Sequence, residues 1–153
     1  MYQRILFATD GSPTSVHAMG EVAKLVGEGS QVKVITVLEN PLTPFPAAYV
    51  YMTNTDQFLG RLVEEGHNVL LRAREQLGDI GIRAETQLLE LPETDHDVPS
   101  AIRAQAEAWS ADVIVVGTHG RKGVRRLLMG SVAEQLVRIS RLPVLLVHGP
   151  EEE

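Results

Sequence analysis

The sequence predicts an α/β fold, a single-domain open doubly wound parallel sheet of five strands. Three observations carry that prediction. Short β-branched runs alternate with stretches of helical periodicity along the chain. One run, DVIVVG from Asp112 to Gly117, is apolar almost throughout, as a strand buried on both faces must be. The chain has 153 residues, the size of one domain, and can bury roughly 70% of the surface its unfolded form exposes.

The elements follow in order. ILFA (Ile5 to Ala8) is a first strand, and Thr-Asp-Gly-Ser after it signals a turn. Val16, Met19, Ala23 and Val26 are spaced along one face of a helix that Gly27 and Gly29 stop. VKVITVL (Val32 to Leu38) is a second, β-branched strand. Residues Glu39 to Asn54 hold Pro41, Pro44 and Pro46 with Phe45, Tyr49 and Tyr51, which predicts a long loop, either a binding loop or a surface insertion. Leu59, Leu62, Val63, Leu70, Ala73 and Leu77 mark a long amphipathic helix ending near Gly78. IRAETQLLEL (Ile82 to Leu91) is a third strand, and PETDHDVP after it is read as a loop. The next helix carries Ile102, Ala106 and Trp109, with Trp109 assigned to core packing. The fourth strand, Asp112 to Gly117, leads into a basic, glycine-punctuated loop and a helix with Val132, Leu136 and Ile139. PVLLVH (Pro143 to His148) is the fifth strand. Helices between parallel strands cover both faces of such a sheet, through right-handed crossovers.

Composition narrows the function classes. With no cysteine, disulfides, thiolate nucleophiles and Cys-ligated zinc are excluded. No stretch approaches the roughly 20 apolar residues of a membrane span, and no signal-peptide core follows the N-terminus. A soluble, cytoplasmic protein is expected. The net charge of −6 argues against a nucleic-acid partner. The charge is uneven, however. Arg121, Lys122, Arg125, Arg126, Arg138 and Arg141 face a single acid, Glu134, between Gly120 and Arg141. This is either a solvated helix face or a local field that draws an anionic ligand.

Ligands of doubly wound sheets sit beyond the carboxyl ends of the strands where strand order reverses. Two loops are therefore singled out. After strand four, Gly117 and Gly120 enclose two residues, and nine more lead to Gly130-Ser131 at a helix start. Glycine permits positive φ and close backbone approach. Amides near Gly130, Ser131 and Val132 would be unpaired donors at the positive end of the helix dipole, a phosphate site. The Ser131 hydroxyl is open to two roles, capping the helix or touching a phosphate. After strand one, Asp10 of Thr9-Asp10-Gly11-Ser12 is placed either to accept from ribose hydroxyls or to close an Asx turn.

Together these loops resemble the universal stress protein family. The resemblance runs from the opening strand with its Asp-Gly-Ser to the closing PVLLV strand. Its most specific part is the family's nucleotide pattern of Gly, two residues, Gly, nine residues, Gly, then Ser or Thr. Gly117, Gly120, Gly130 and Ser131 fill it without a gap. The resemblance implies an adenine nucleotide alpha hydrolase-like sheet of strand order 3-2-1-4-5, a domain over residues 1–149 and an acidic tail at 150–153. It implies an ATP site (or one for ADP or AMP); a divalent ion there, Mg²⁺, would bind mainly through the phosphates, since it favours their oxygens and water. In that site Asp10 meets the ribose or adenine side, Ala8 and Thr9 line the cleft, and Val37 lies by the adenine. Gly117 and Gly120 pass along the ribose and α-phosphate, and Gly130, Ser131 and Val132 hold the outer phosphates. It implies a homodimer through strand 143–148, an apolar edge that needs a cover.

Catalytic signatures are sparse. GxxxxGK[ST], GxGxxG and GxSxG are all absent. His119, between the loop glycines, is the best placed histidine, as a phosphate donor or as a solvent-facing loop residue. His96 with Asp95 and Asp97 has divalent-ion chemistry without a complete ligand set. The segment Leu91 to Pro99 is longer and more acidic than the short Gly-rich turn of the family pattern, and it borders the site. Fast phosphoryl transfer needs a base to orient the nucleophile, and none is evident. The expected function is an ATP-binding regulator of stress response, with an unknown protein partner and at most slow hydrolysis. The alternatives are an ATP-using enzyme, such as a slow ATPase or an adenylyl- or phosphotransferase, and a nucleotide-free dimer acting through protein contacts.

Overall fold

The computed structural model describes residues 1–39, 55–91, 97–118 and 129–150. The proline-rich segment 40–54, the acidic residues Glu93 and Asp95 with His96, the loop residues His119, Gly120, Arg121, Lys122, Arg125 and Arg126, and the tail lie outside them.

Among the described residues five strands and four helices alternate: β1 (Arg4–Ala8), α1 (Pro13–Leu25), β2 (Gln31–Leu38), α2 (Thr55–Asp79), β3 (Ala84–Glu90), α3 (Val98–Ala108), β4 (Val113–Gly117), α4 (Ser131–Ile139) and β5 (Val144–Val147). The strands form one parallel sheet in the order β3-β2-β1-β4-β5. That is the predicted order. β1 is the central strand, pairing Phe7 with Val34 on one side and with Val115 on the other.

Alternation along the strands sends side chains to two cores. Ile5, Phe7, Val34 and Val115 pack with Ala18, Met19 and Val22 of α1 and with Leu70, Ala73 and Leu77 of α2. Leu6, Ile35, Ile114 and Val116 pack with Ile102 and Ala106 of α3 and with Ala133 and Leu136 of α4. The sheet is therefore doubly wound, with α1 and α2 on one face and α3 and α4 on the other.

Local chemistry moves several elements from their expected places. The inner face of α1 is Ser15, Ala18, Met19 and Val22, and Val16 is 44% exposed. Ser12 caps this helix through the Ser15 amide and Pro13 opens it. The Ser15 hydroxyl is hydrogen-bonded to Thr9 Oγ1. These anchors accompany an outward-facing Val16, while Ala23 is half-buried and Val26, at the C-cap, packs against the core. Asp97, read as a loop acid, is the N-cap of α3, its Oδ1 accepting from Ser100 N at 2.8 Å. Pro99, read with the same loop, is buried in the first turn of that helix. Ile139 is 36% exposed, and Ala133 joins Leu136 on the inner face of α4.

Trp109 is half-buried at the end of α3, packs against the core on the α3 and α4 face as expected, and also carries charge against its ring. The Arg4 guanidinium carbon lies 4.5 Å from its ring centroid and Lys33 Nζ 5.6 Å away. The buried Lys33 side chain reaches Glu85 Oε1 at 3.0 Å, its register partner on β3. At the amino edge of the sheet, Asp112 Oδ2 accepts from Gln3 N at 2.7 Å and Arg4 N at 2.9 Å. The Arg4 amide first, then the Gln3 amide, holds the carboxyl below its ordinary pKa.

Candidate functional site

The first loop is built by hydroxyl groups. β1 continues its ladder one residue past Ala8, where Thr9 N donates to Ile35 O at 2.9 Å. The chain then turns at Gly11, whose φ of 76° favours glycine. Asp10 Oδ1 accepts from Ser12 N at 2.9 Å, an Asx turn. Thr9 Oγ1 accepts from Gly11 N at 3.2 Å, and Thr36 Oγ1 donates to Thr9 O at 2.8 Å. Thr9, Ser12, Ser15 and Thr36 are all buried. The turn role of Asp10 is thus realised, and it holds the residue at the carboxyl end of β1, where a ribose contact would need it.

The second loop is closed by Thr118. Its amide donates to Val147 O at 2.9 Å and its carbonyl accepts from Gly130 N at 2.6 Å. Gly117 and Gly130 are thereby brought together across the twelve residues that separate them. Gly130 is the N-cap of α4, with φ −58° and ψ 152° and no side-chain capping bond. Ser131 is consequently the first helical residue, and the capping role open to its hydroxyl is not used. The first helical bond runs from Glu134 N to Gly130 O at 3.0 Å. The amides of Ser131, Val132 and Ala133 precede it and find no acceptor among the described residues. Ser131 is exposed and Val132 half-buried.

Gly117 is hemmed in by α1, a constraint that its motif does not reveal. Its φ is not positive. A Cβ there would stand 2.9 Å from Thr14 Cγ2 and 3.4 Å from Ser15 N. The close approach is that of α1. Arg138, from the basic stretch, is paired with Glu134 at 2.8 Å and lies on a solvated helix face.

β1 and β4 are the neighbours at which strand order reverses. Continuing the Phe7–Val115 register sets Thr9 level with Gly117. Ala8, Val37 and Val132 pack against one core cluster, on the α3 and α4 face. The fold therefore places Ala8, Thr9, Asp10, Val37 and Gly117 at or just beyond the carboxyl ends of β1, β2 and β4, and Gly130, Ser131 and Val132 at the start of α4; His119 and Gly120 lie outside the described residues. Sequence reasoning missed Thr14, Ser15, Thr36 and Thr118, which shape the two loops. Only Thr118 had a local signal, its place between Gly117 and the loop. A groove of about 420 Å³ runs between β3 and α3, lined by leucines and alanines with Glu90, Ser100 and Gln105. The Ser100 amide at the start of α3 is already taken by the Asp97 cap, whereas the first amides of α4 have no acceptor among the described residues.

Residues 1–148 match the model of the universal stress protein family. The universal stress protein MJ0531 of Methanocaldococcus jannaschii is 32% identical over 156 aligned residues, covering 100% of this chain and 86% of that protein. The solved structure of MJ0577 from the same organism is similar at a TM-score of 0.81 and 25% identity, covering 99% of each chain. The universal stress protein from Archaeoglobus fulgidus in complex with dAMP shares the fold, at a TM-score of 0.61 and 22% identity over 95% of this chain and 98% of that one. With a family model matched over nearly its whole length and the Gly-2-Gly-9-Gly-Ser pattern complete, this chain belongs to the universal stress protein family.

Proposed function

We propose that the β1–β4 crevice binds an adenine nucleotide, ATP with Mg²⁺ or its ADP or AMP counterpart, and that the protein is a nucleotide-dependent regulator with at most slow hydrolysis. The observation that carries this reading is the set of Ser131, Val132 and Ala133 amides at the N-terminus of α4, drawn by the Thr118–Gly130 bond to the strand end level with Thr9. Such donors at the positive end of a helix suit phosphate oxygens. Asp10 supplies a carboxylate for ribose hydroxyls, and Ala8, Val37 and Val132 an apolar wall for a base. The ion is carried mainly by the phosphates, whose oxygens Mg²⁺ favours. The reading extends to a cytoplasmic homodimer through β5, with residues 1–149 as the nucleotide-binding domain and a protein partner that reads the bound state. No helix among the described residues is long and apolar enough to cross a membrane.

The test is to denature freshly purified protein, identify any released nucleotide by chromatography, and titrate ATP into stripped protein by calorimetry. Stoichiometric adenine nucleotide or micromolar binding supports the site. Folded protein that neither carries nor binds nucleotide refutes it.

A further inference from the structure

We propose that Gly149, just beyond β5, is a positioning residue for the loop that carries Asp10, and that it acts through Thr14. The proposal rests on the nucleotide reading above. Thr14 is the second residue of α1, and its two branches fill a notch between the ends of β4 and β5. A Cβ on Gly149 would stand 2.7 Å from Thr14 Oγ1 and 3.5 Å from Thr14 Cβ. A Cβ on Gly117 would stand 2.9 Å from Thr14 Cγ2. Two glycines thus flank one β-branched side chain, one beside each branch. Of the three staggered positions on a threonine Cβ, two are always filled, and a stiff χ1 leaves little room to turn aside. A side chain at 149 must therefore push the first turn of α1 off the strand ends.

That turn cannot shift alone. Ser15 is bonded to Thr9 through the two hydroxyls. The Ser15 amide donates to Ser12 Oγ at 3.3 Å, and the Ser12 amide donates to Asp10 Oδ1 at 2.9 Å. Displacement passes from residue 149, distant in sequence and packed in space on Thr14, through Thr14, Ser15 and Ser12 to Asp10. Buried contacts of this density transmit a shift rather than absorb it. The ribose side of the site is in this way set from the edge of the sheet that β5 forms.

The experiment uses the full chain with Gly149→Ala, Thr14→Ala and the double substitution. Three quantities are read: ATP affinity of stripped protein, melting temperature without nucleotide, and the amide chemical shifts of Gly11 and Ser12 without nucleotide. Gly149→Ala is expected to weaken ATP binding about fivefold or more and to move both amides. Adding Thr14→Ala, which empties the notch, is expected to return affinity and amides towards wild type. A purely structural contribution would lower the melting temperature and leave the affinity and the two amides in place. Unmoved amides in Gly149→Ala, no recovery in the double variant, or moved amides with unchanged ATP affinity would overturn the proposal. Wild-type protein that binds no ATP defeats the nucleotide reading, and the two amides then decide the positioning claim by themselves.

Discussion

Gly130 donates its backbone amide to Thr118 O at 2.6 Å, and the amide of Thr118 in turn donates to Val147 O at 2.9 Å. A residue only 1% exposed therefore ties together the ends of β4 and β5 and the start of α4. The bonds are made by the backbone, so they do not depend on the side chains of the residues they join.

Gly130→Val tests the phosphate site directly. The φ of −58° at Gly130 is open to any residue, so backbone strain is not introduced. A Cβ would obstruct the approach of a phosphate to the helix end. ATP affinity should fall at least about tenfold, or about 1.4 kcal/mol, by calorimetry on folded protein. Unchanged affinity would remove Gly130 from the site.

Leu145→Arg tests the β5 edge. Leu145 is half-buried on the α1 side of the sheet, opposite Val115. A charge on an apolar edge opposes edge pairing. Sedimentation should show a dimer shifting towards monomer, with circular dichroism confirming that the fold is retained. An intact dimer would place the contact elsewhere.

Asp112→Ala should destabilise the protein in a pH-dependent way. The folded-state pKa of Asp112 is lowered by its bonds to the Arg4 and Gln3 amides. Its contribution is present above the ordinary carboxylate pKa of about 3.9. It fades as pH falls below that value through the depressed one. The difference in melting temperature between wild type and variant should hold steady from neutral pH to about pH 5 and shrink below about pH 4. A constant difference into that acid range would assign the effect to packing.

Lys33→Met should be neutral or stabilising by about 1 kcal/mol in urea unfolding. The Lys33 side chain is 7% exposed and its partner Glu85 is 61% exposed, so the pair loses hydration mainly at the lysine. Methionine keeps the volume and the contact with Trp109. A large destabilisation would show that the ion pair and the cation–π contact outweigh that desolvation.

The fold, and the place of the two candidate loops at the strand ends, could be read from local pattern. β4 is apolar on both sides, the helices carry a 3.6-residue period, and Gly130-Ser131 marks a helix start, all because burial and backbone bonding act over a few residues. From these the α/β class, the strand positions and the crevice between the first and fourth strands follow, and the family resemblance added the strand order. The rest depended on groups that meet only after folding. Val16 is apolar and in period, yet it faces outward, because Ser12 and Ser15 anchor α1 to β1. Asp97 has the look of a site acid, yet its position before Val98 makes it a cap. Gly117 carries a ligand motif, while the atom nearest its missing Cβ belongs to Thr14. Its α1 contact, like that of Gly149, comes from strand ends and a helix turn brought within van der Waals distance by the sheet, and such a contact has no signature in neighbouring residues.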